Sequence, residues 1–167
     1  RRPANPWFLR GAGAFRLFFL LAVAICCIAT FPAFAAPQTS TSESQTVRSA
    51  REALNEGDFQ AAIGALQSWV QAHPRDLQAR LLLGEAYRST RSFPQAEEQF
   101  LAASQMAPEN FEARLDLGSL YNVMGKFDQA EPLLRGALRM RPSDPEARME
   151  LSVSLVKLRR YAEAEEV

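Results

Sequence analysis

Residues 77–110 read LQARLLLGEAYRSTRSFPQAEEQFLAASQMAPEN, and residues 111–144 read FEARLDLGSLYNVMGKFDQAEPLLRGALRMRPSD. The two 34-residue blocks align without a gap. Leu83-Gly84 recurs as Leu117-Gly118, Tyr87 as Tyr121, Phe93 as Phe127, Ala96 as Ala130, and Pro108 as Pro142. The register extends in both directions. Phe59 and Tyr161 fall in step with the two phenylalanines, Ala62 and Ala164 with the alanines, and Pro74 with the prolines. Leu66, Phe100 and Leu134 share one position, and Ala79-Arg80, Ala113-Arg114 and Ala147-Arg148 another. A fixed period of this length marks a stack of small structural units.

Each block reads as two helices. Asp76, Asn110 and Asp144 stand before the first helix, where a side-chain oxygen accepts from free backbone N–H groups. Pro145 occupies the first helical position, where proline sacrifices no hydrogen bond. Leu83, Ala86 and Tyr87 then recur at helical spacing. Gly57 and Gly125 mark the turn between helices, and Asp58 or Ser92 can cap the second helix, which runs from the aromatic residue to the proline. Gly84 and Gly118 are expected to let the two helices approach closely, with Ala96 and Ala130 opposite and Tyr87, Phe93, Tyr121 and Phe127 filling the remainder. Pro132 lies inside a second helix and is expected to tighten or bend its first turn.

A helix–turn–helix period of 34 residues with this Leu-Gly, Tyr, Phe, Ala, Phe/Leu, Ala and Pro series resembles the tetratricopeptide-repeat (TPR) family. The match covers residues 43–167 as units 43–76, 77–110, 111–144 and a shortened 145–167. Unit 43–76 departs from the pattern, with Ser49-Ala50 in place of Leu-Gly and Trp69 where later units carry Ala103 and Ala137. The resemblance implies an all-α fold, a right-handed α-solenoid whose first helices line a concave binding face.

On that expectation, unit 77–110 offers Leu81, Leu82, Glu85, Arg88 and Ser89 to the groove. Unit 111–144 offers Glu112, Leu115, Asp116, Ser119, Asn122 and Val123. Unit 145–167 offers Glu146, Met149, Glu150, Val153 and Lys157. Such a mixed surface suits an extended or helical peptide. Glu112, Asp116, Glu146 and Glu150 oppose a free-carboxylate ligand, so a basic or neutral protein or peptide is the expected partner.

Residues 1–35 hold four arginines and no acid. The remaining 15 basic against 19 acidic side chains give a net charge of −4, which lacks the positive surface that nucleic-acid binding needs. Leu17 to Phe31 runs uncharged as LFFLLAVAICCIATF, followed by Pro32 and Ala33-Phe34-Ala35. This basic, apolar and Ala-x-Ala order is that of a secretory signal peptide cut after Ala35, with a membrane anchor over residues 17–36 as the alternative. The expected location is therefore exported, periplasmic or extracellular, in a bacterium, or anchored facing the same side. Both cysteines, Cys26 and Cys27, lie in this run, so a cleaved chain offers no disulfide and no thiolate metal site. Residues 36–46, APQTSTSESQT, lack any large aliphatic side chain and read as a flexible tether.

Chemistry-bearing motifs are scarce. His73, the one histidine, precedes Pro74 at a helix end, where an imidazole satisfies carbonyls. The Glu97-Glu98 and Glu163, Glu165, Glu166 groups read as solvated helix faces. No phosphate loop, nucleophile elbow or His-Glu-x-x-His series occurs. The expectation is a non-catalytic interaction scaffold without cofactor or metal. The alternative is a docking module of a larger exported or membrane-anchored enzyme. The missing initiator methionine and the shortened final unit suggest a fragment, or self-association through the open C-terminal repeat.

Overall fold

A computed structural model describes residues 39–167, with side chains from residue 45 onward. The expected signal peptide or anchor lies outside these residues. Eight helices follow in order: α1 (Thr39–Glu56), α2 (Phe59–Ala72), α3 (Leu77–Ser89), α4 (Phe93–Met106), α5 (Phe111–Val123), α6 (Phe127–Met140), α7 (Pro145–Lys157) and α8 (Tyr161–Glu166). Among the described residues no helix is long and apolar enough to cross a membrane.

The caps behave as their sequence positions demand. Asp76, Asn110 and Asp144 accept from the backbone N–H groups of Ala79, Ala113 and Ala147 at 3.0, 2.7 and 2.9 Å. The arginine following each of these alanines explains its own recurrence. Arg80, Arg114 and Arg148 donate Nε to the carbonyls of Pro74, Pro108 and Pro142 at 2.9, 2.7 and 3.1 Å, tying each first helix to the loop before it. Asp58 caps α2 through Ala61, but Ser92 makes no cap bond to α4 and accepts instead from the Thr90 hydroxyl.

Every first helix ends in the same reversal. The N–H groups of Asp58, Ser92, Lys126 and Arg160 reach back to the carbonyls of Ala53, Tyr87, Tyr121 and Leu155 at 2.8–2.9 Å. This wide bond requires a left-handed residue just before the donor. Gly57 and Gly125 supply it at φ of 81° and 74°, while Arg91 and Arg159 adopt 58° and 61° at the same repeat position. The glycines were expected from their sequence. The strained arginines were not.

One expectation is corrected. Residues from Thr39 onward belong to α1 rather than to a flexible tether. Thr39 to Thr46 contains no proline or glycine, and once Val47, Ala53 and Leu54 pack against the core the helix needs no fresh nucleation to extend upstream. Pro132 acts on α6 as its position implies. The helix runs through it, with Gln129 donating to the Lys126 carbonyl at 3.0 Å in a tightened first turn. Trp69, the residue out of pattern, donates its indole N–H to Asp76 at 2.8 Å and stacks on His73 at 4.0 Å. It ties the end of α2 to Asp76, the residue that caps α3.

Consecutive helices pack as antiparallel neighbours, and the first helices also approach one another from unit to unit: α1 with α3, α3 with α5, α5 with α7. The second helices do not approach each other in this way. Backbones on one side of the stack are therefore closer, and the first-helix side is concave. Phe100, Leu66 and Leu134 are fully buried between the layers. Tyr87 joins the two halves of the core, touching both apolar clusters while Gln67 donates to its hydroxyl at 2.6 Å.

The Leu-Gly glycines mark where helices close in. A Cβ on Gly84 would stand 2.5 Å from the Phe100 ring, and one on Gly118 would stand 2.7 Å from Leu134 Cγ. The facing groups are thus Phe100 and Leu134 more directly than the expected Ala96 and Ala130. On the outer side, carboxylates reach into the following unit: Lys126 pairs with Glu97 at 2.9 Å and Arg160 with Glu131 at 2.6 Å, both spaced 29 residues apart. Hydrogen bonds from Arg135 and Arg160 hold the Glu131 carboxyl below its ordinary range.

Gly118→Leu is expected to destabilise the chain by about 1–3 kcal/mol or more, because buried Leu134 has nowhere to move. Thermal melting of the variant checks this, and an unchanged midpoint would contradict the stacking. Arg91→Gly should act in the opposite direction. Relief of the left-handed strain is expected to stabilise by about 0.5–1 kcal/mol in urea denaturation, with the same sign at Arg159.

Candidate functional site

The concave face of α3, α5 and α7 divides into three zones. Between α3 and α5 lies a cleft of about 340 Å³, lined by Leu77, Gln78, Leu81, Leu82, Glu85, Asn110, Glu112 and Asp116. Five of the expected groove residues meet here: Leu81, Leu82, Glu85, Glu112 and Asp116. Leu77, Gln78 and Asn110 were missed, although Gln78 stands one period before Glu112 and was legible from that offset.

Leu81, Leu82 and Leu115 belong to the core more than to a binding surface, with 5–8% of their area exposed. The following first helix covers them, which a wheel drawn for one helix does not reveal. Met149 occupies the corresponding position in α7 and is 58% exposed, because no further first helix lies over it among the described residues.

A polar ladder crosses α3, α5 and α7 beside the cleft. Arg88 Nη1 donates to Ser119 Oγ at 3.2 Å, and Ser119 donates to Glu150 Oε1 at 3.1 Å. Asn122 Nδ2 donates to the Glu150 carboxylate and to its backbone carbonyl at 2.7 and 2.8 Å. Fully buried Ser154 donates to Asn122 Oδ1 at 2.6 Å. Ser119, Asn122 and Glu150, expected as free groove contacts, are thus committed to joining units. Ser154 was missed altogether. A serine on a helix face has no distinguishing local signal until a polar side chain from the next unit is set beside it.

The third zone is apolar and open. Val123 on α5 and Val153 on α7 are 57% and 41% exposed, and Val156 at the repeat position of Arg88 and Asn122 is also exposed. Glu146 is exposed nearby in sequence, at the start of α7.

Charges in the groove are unequal in kind. Glu112 pairs with Arg141 at 2.7 Å, and the same guanidinium lies 4.0 Å over the Phe111 ring. Asp116 has neither a hydrogen bond nor an ion pair among the described residues. Burial against apolar neighbours pushes its carboxyl up to about 7, assisted by Glu85, Glu146 and Glu112 and opposed by Arg88. An aspartate in an unfolded chain titrates near 3.9. Between these values the folded chain holds a proton that the unfolded chain has lost, so stability falls as pH rises through the window. Asp116→Asn should therefore stabilise the chain at about pH 8, by roughly 1–3 kcal/mol after allowance for solvent reaching the carboxyl. The gain should shrink as pH falls and vanish below about pH 3, where aspartate is protonated in both states. Urea denaturation at about pH 8 and about pH 3 reads it, and an equal effect at both would contradict the assigned proton.

The chain resembles the MamA AMB-1 structure at a TM-score of 0.63 and 21% identity, over 71% of this chain but less than two thirds, 65%, of that one. MamA from Desulfovibrio magneticus RS-1 gives a TM-score of 0.70 at 17% identity, over 77% of this chain and 72% of that one. The second TPR domain of human RPAP3, solved with the HSP70 peptide SGPTIEEVD, gives 0.62 at 19% identity, over 65% and 91%. These likenesses show the fold. No curated protein matches the sequence. The tetratricopeptide-repeat profile matches residues 47–110 and 115–167, most of the chain. With its caps, close-approach glycines and stacked units, this chain belongs to the tetratricopeptide-repeat family.

Proposed function

We propose that the chain is a non-catalytic interaction scaffold that acts outside the cytoplasm and holds a peptide or partner helix along its concave face. The observation that carries this reading is the exposure of Val123 and Val153 on first helices whose positions are locked by the buried ladder. Open apolar side chains on a preordered surface gain from burial without a further cost of ordering the backbone.

Charge argues for the kind of partner. The peptide held by the RPAP3 domain carries two glutamates and a terminal aspartate. Here Arg141 answers Glu112, whereas Glu85 and Glu146 are exposed with no ion pair among the described residues. An acidic tail would meet repulsion, and a basic or neutral segment would not. Export rests on the basic, apolar and Ala-x-Ala order of residues 1–35.

Peptides selected by display on the full chain should lose about tenfold or more in affinity for Val123→Asp and for Val153→Asp. They should bind unchanged to Gln105→Ala, a change at an exposed residue of a second helix. Loss at Gln105 with retention at the two valines would move the binding face to the other side. Intact mass of the mature protein checks export separately: a chain beginning at Ala36 is expected, and a retained apolar run would favour the anchor.

A further inference from the structure

The cleft between α3 and α5 has a composition that the general groove reading leaves unexplained. Its floor is aliphatic, from Leu77, Leu81 and Leu82, yet two carboxylates without partners among the described residues, Asp116 and Glu85, line the same space. We propose that this cleft is a subsite for one basic side chain of the bound partner. The stem of a lysine or arginine would lie on the three leucines, and its cationic head would meet Asp116 and Glu85. The proposal rests on the concave-groove reading and names the chemistry of its anchor.

Three observations support a basic side chain over other occupants. First, no buried side-chain oxygen or nitrogen lacks a partner among the described residues. The unbonded Asp116 carboxyl is therefore not sealed in the core but opens where it lines the cleft. Second, the cations at hand are engaged. Arg141 is held by Glu112 and the Phe111 ring, and Arg88 donates to Ser119. Arg88 does favour the ionised carboxyl, but desolvation outweighs it. Third, a bare divalent ion needs about six oxygen ligands. Among the described residues no group of three or more His, Cys, Asp or Glu side chains is arranged to hold one. An apolar floor with a carboxylate edge instead matches the divided character of Lys and Arg, whose stems pack on apolar surface while their heads remain polar.

The groups facing Asp116 are Glu85 and Arg88 from α3, Glu112 from its own helix and Glu146 from α7. Three of the four are acidic, so bringing in a cation relieves repulsion as well as desolvation. Binding would favour the ionised carboxyl and displace its proton. Affinity for a basic side chain therefore rises with pH up to about 7 and levels above it.

The direct test uses the full chain and n-butylammonium chloride, which is a lysine side chain without its peptide. Carbon-13 NMR follows the Asp116 carboxyl through a pH titration. Sodium chloride at equal ionic strength and n-butanol serve as controls. The expected result is an Asp116 midpoint lower by about half a pH unit or more in n-butylammonium than in sodium, with the Asp144 cap unmoved. Identical Asp116 midpoints in the two salts would overturn the subsite.

The second test uses the display-selected peptides. Replacing their basic residue by glutamine should cost about tenfold at about pH 8 and little near pH 5. Asp116→Asn should abolish that difference while leaving the glutamine peptide bound. Peptides selected without a basic residue, or a difference that survives in Asp116→Asn, would also overturn the proposal. Failure of these arms while Val123→Asp and Val153→Asp still weaken binding removes only the basic subsite. Binding indifferent to those two valines removes the groove itself.

Discussion

The close approach of α3 to α4 at Gly84, and of α5 to α6 at Gly118, is the constraint on which the remaining structure depends. A two-helix unit has too little interior to bury its own apolar face, so it must present a regular surface to the next unit. A Phe100 ring or Leu134 side chain lodged against a bare glycine Cα sets one separation between the layers. With that separation repeated, the first helices converge on one side while the second helices stay apart. Concavity follows from the packing rather than from any residue in the groove.

Polar contacts then hold what apolar packing leaves free to slide. Stacked aliphatic helices tolerate small shifts in register, because dispersion and hydrophobic burial are weakly directional. Hydrogen bonds are not. The ladder from Arg88 through Ser119, Glu150 and Asn122 to Ser154 permits one axial setting of α3, α5 and α7. On the outer side Glu97–Lys126 and Glu131–Arg160 repeat at the same spacing. These half-buried pairs, still open to solvent, each contribute modestly to stability, but they reinforce the same register. The groove is consequently a fixed surface, and side chains that lie outside both sets of contacts are the ones available to a ligand.

This division also explains what could be read before the structure. The 34-residue period places each helix and turn, since caps, glycines and prolines act on their immediate neighbours. Residues whose role depends on the next unit were harder to read. Leu82 and Leu115 face inward on the stack although they lie on the groove side of their own helices, and Asn122 is engaged by Ser154 from the following unit. Arg91 and Arg159 show a different limit. Their left-handed position was implied by the offset from Gly57 and Gly125, but an arginine there carries no glycine signal. At Thr39 to Thr46, composition alone described a segment that in the fold continues a helix anchored farther along.

Asp116 stands apart from both the core and the ladder. A structural acid in this family of contacts would resemble Asp144, bonded to a backbone N–H, or Glu131, held by two arginines. Asp116 has neither arrangement, and its elevated titration means that ionisation works against folding. A leucine or asparagine would avoid that penalty without disturbing Gly118, Leu134 or the ladder. Strained or desolvated ionisable groups that the fold does not require are characteristic of sites fitted to something outside the chain. The neighbouring leucines and Glu85 give the cleft the shape and charge of an amphipathic cation. The same carboxyl that weakens the free chain would become favourable when the cation arrives, so the stability deficit and the binding preference have one physical origin.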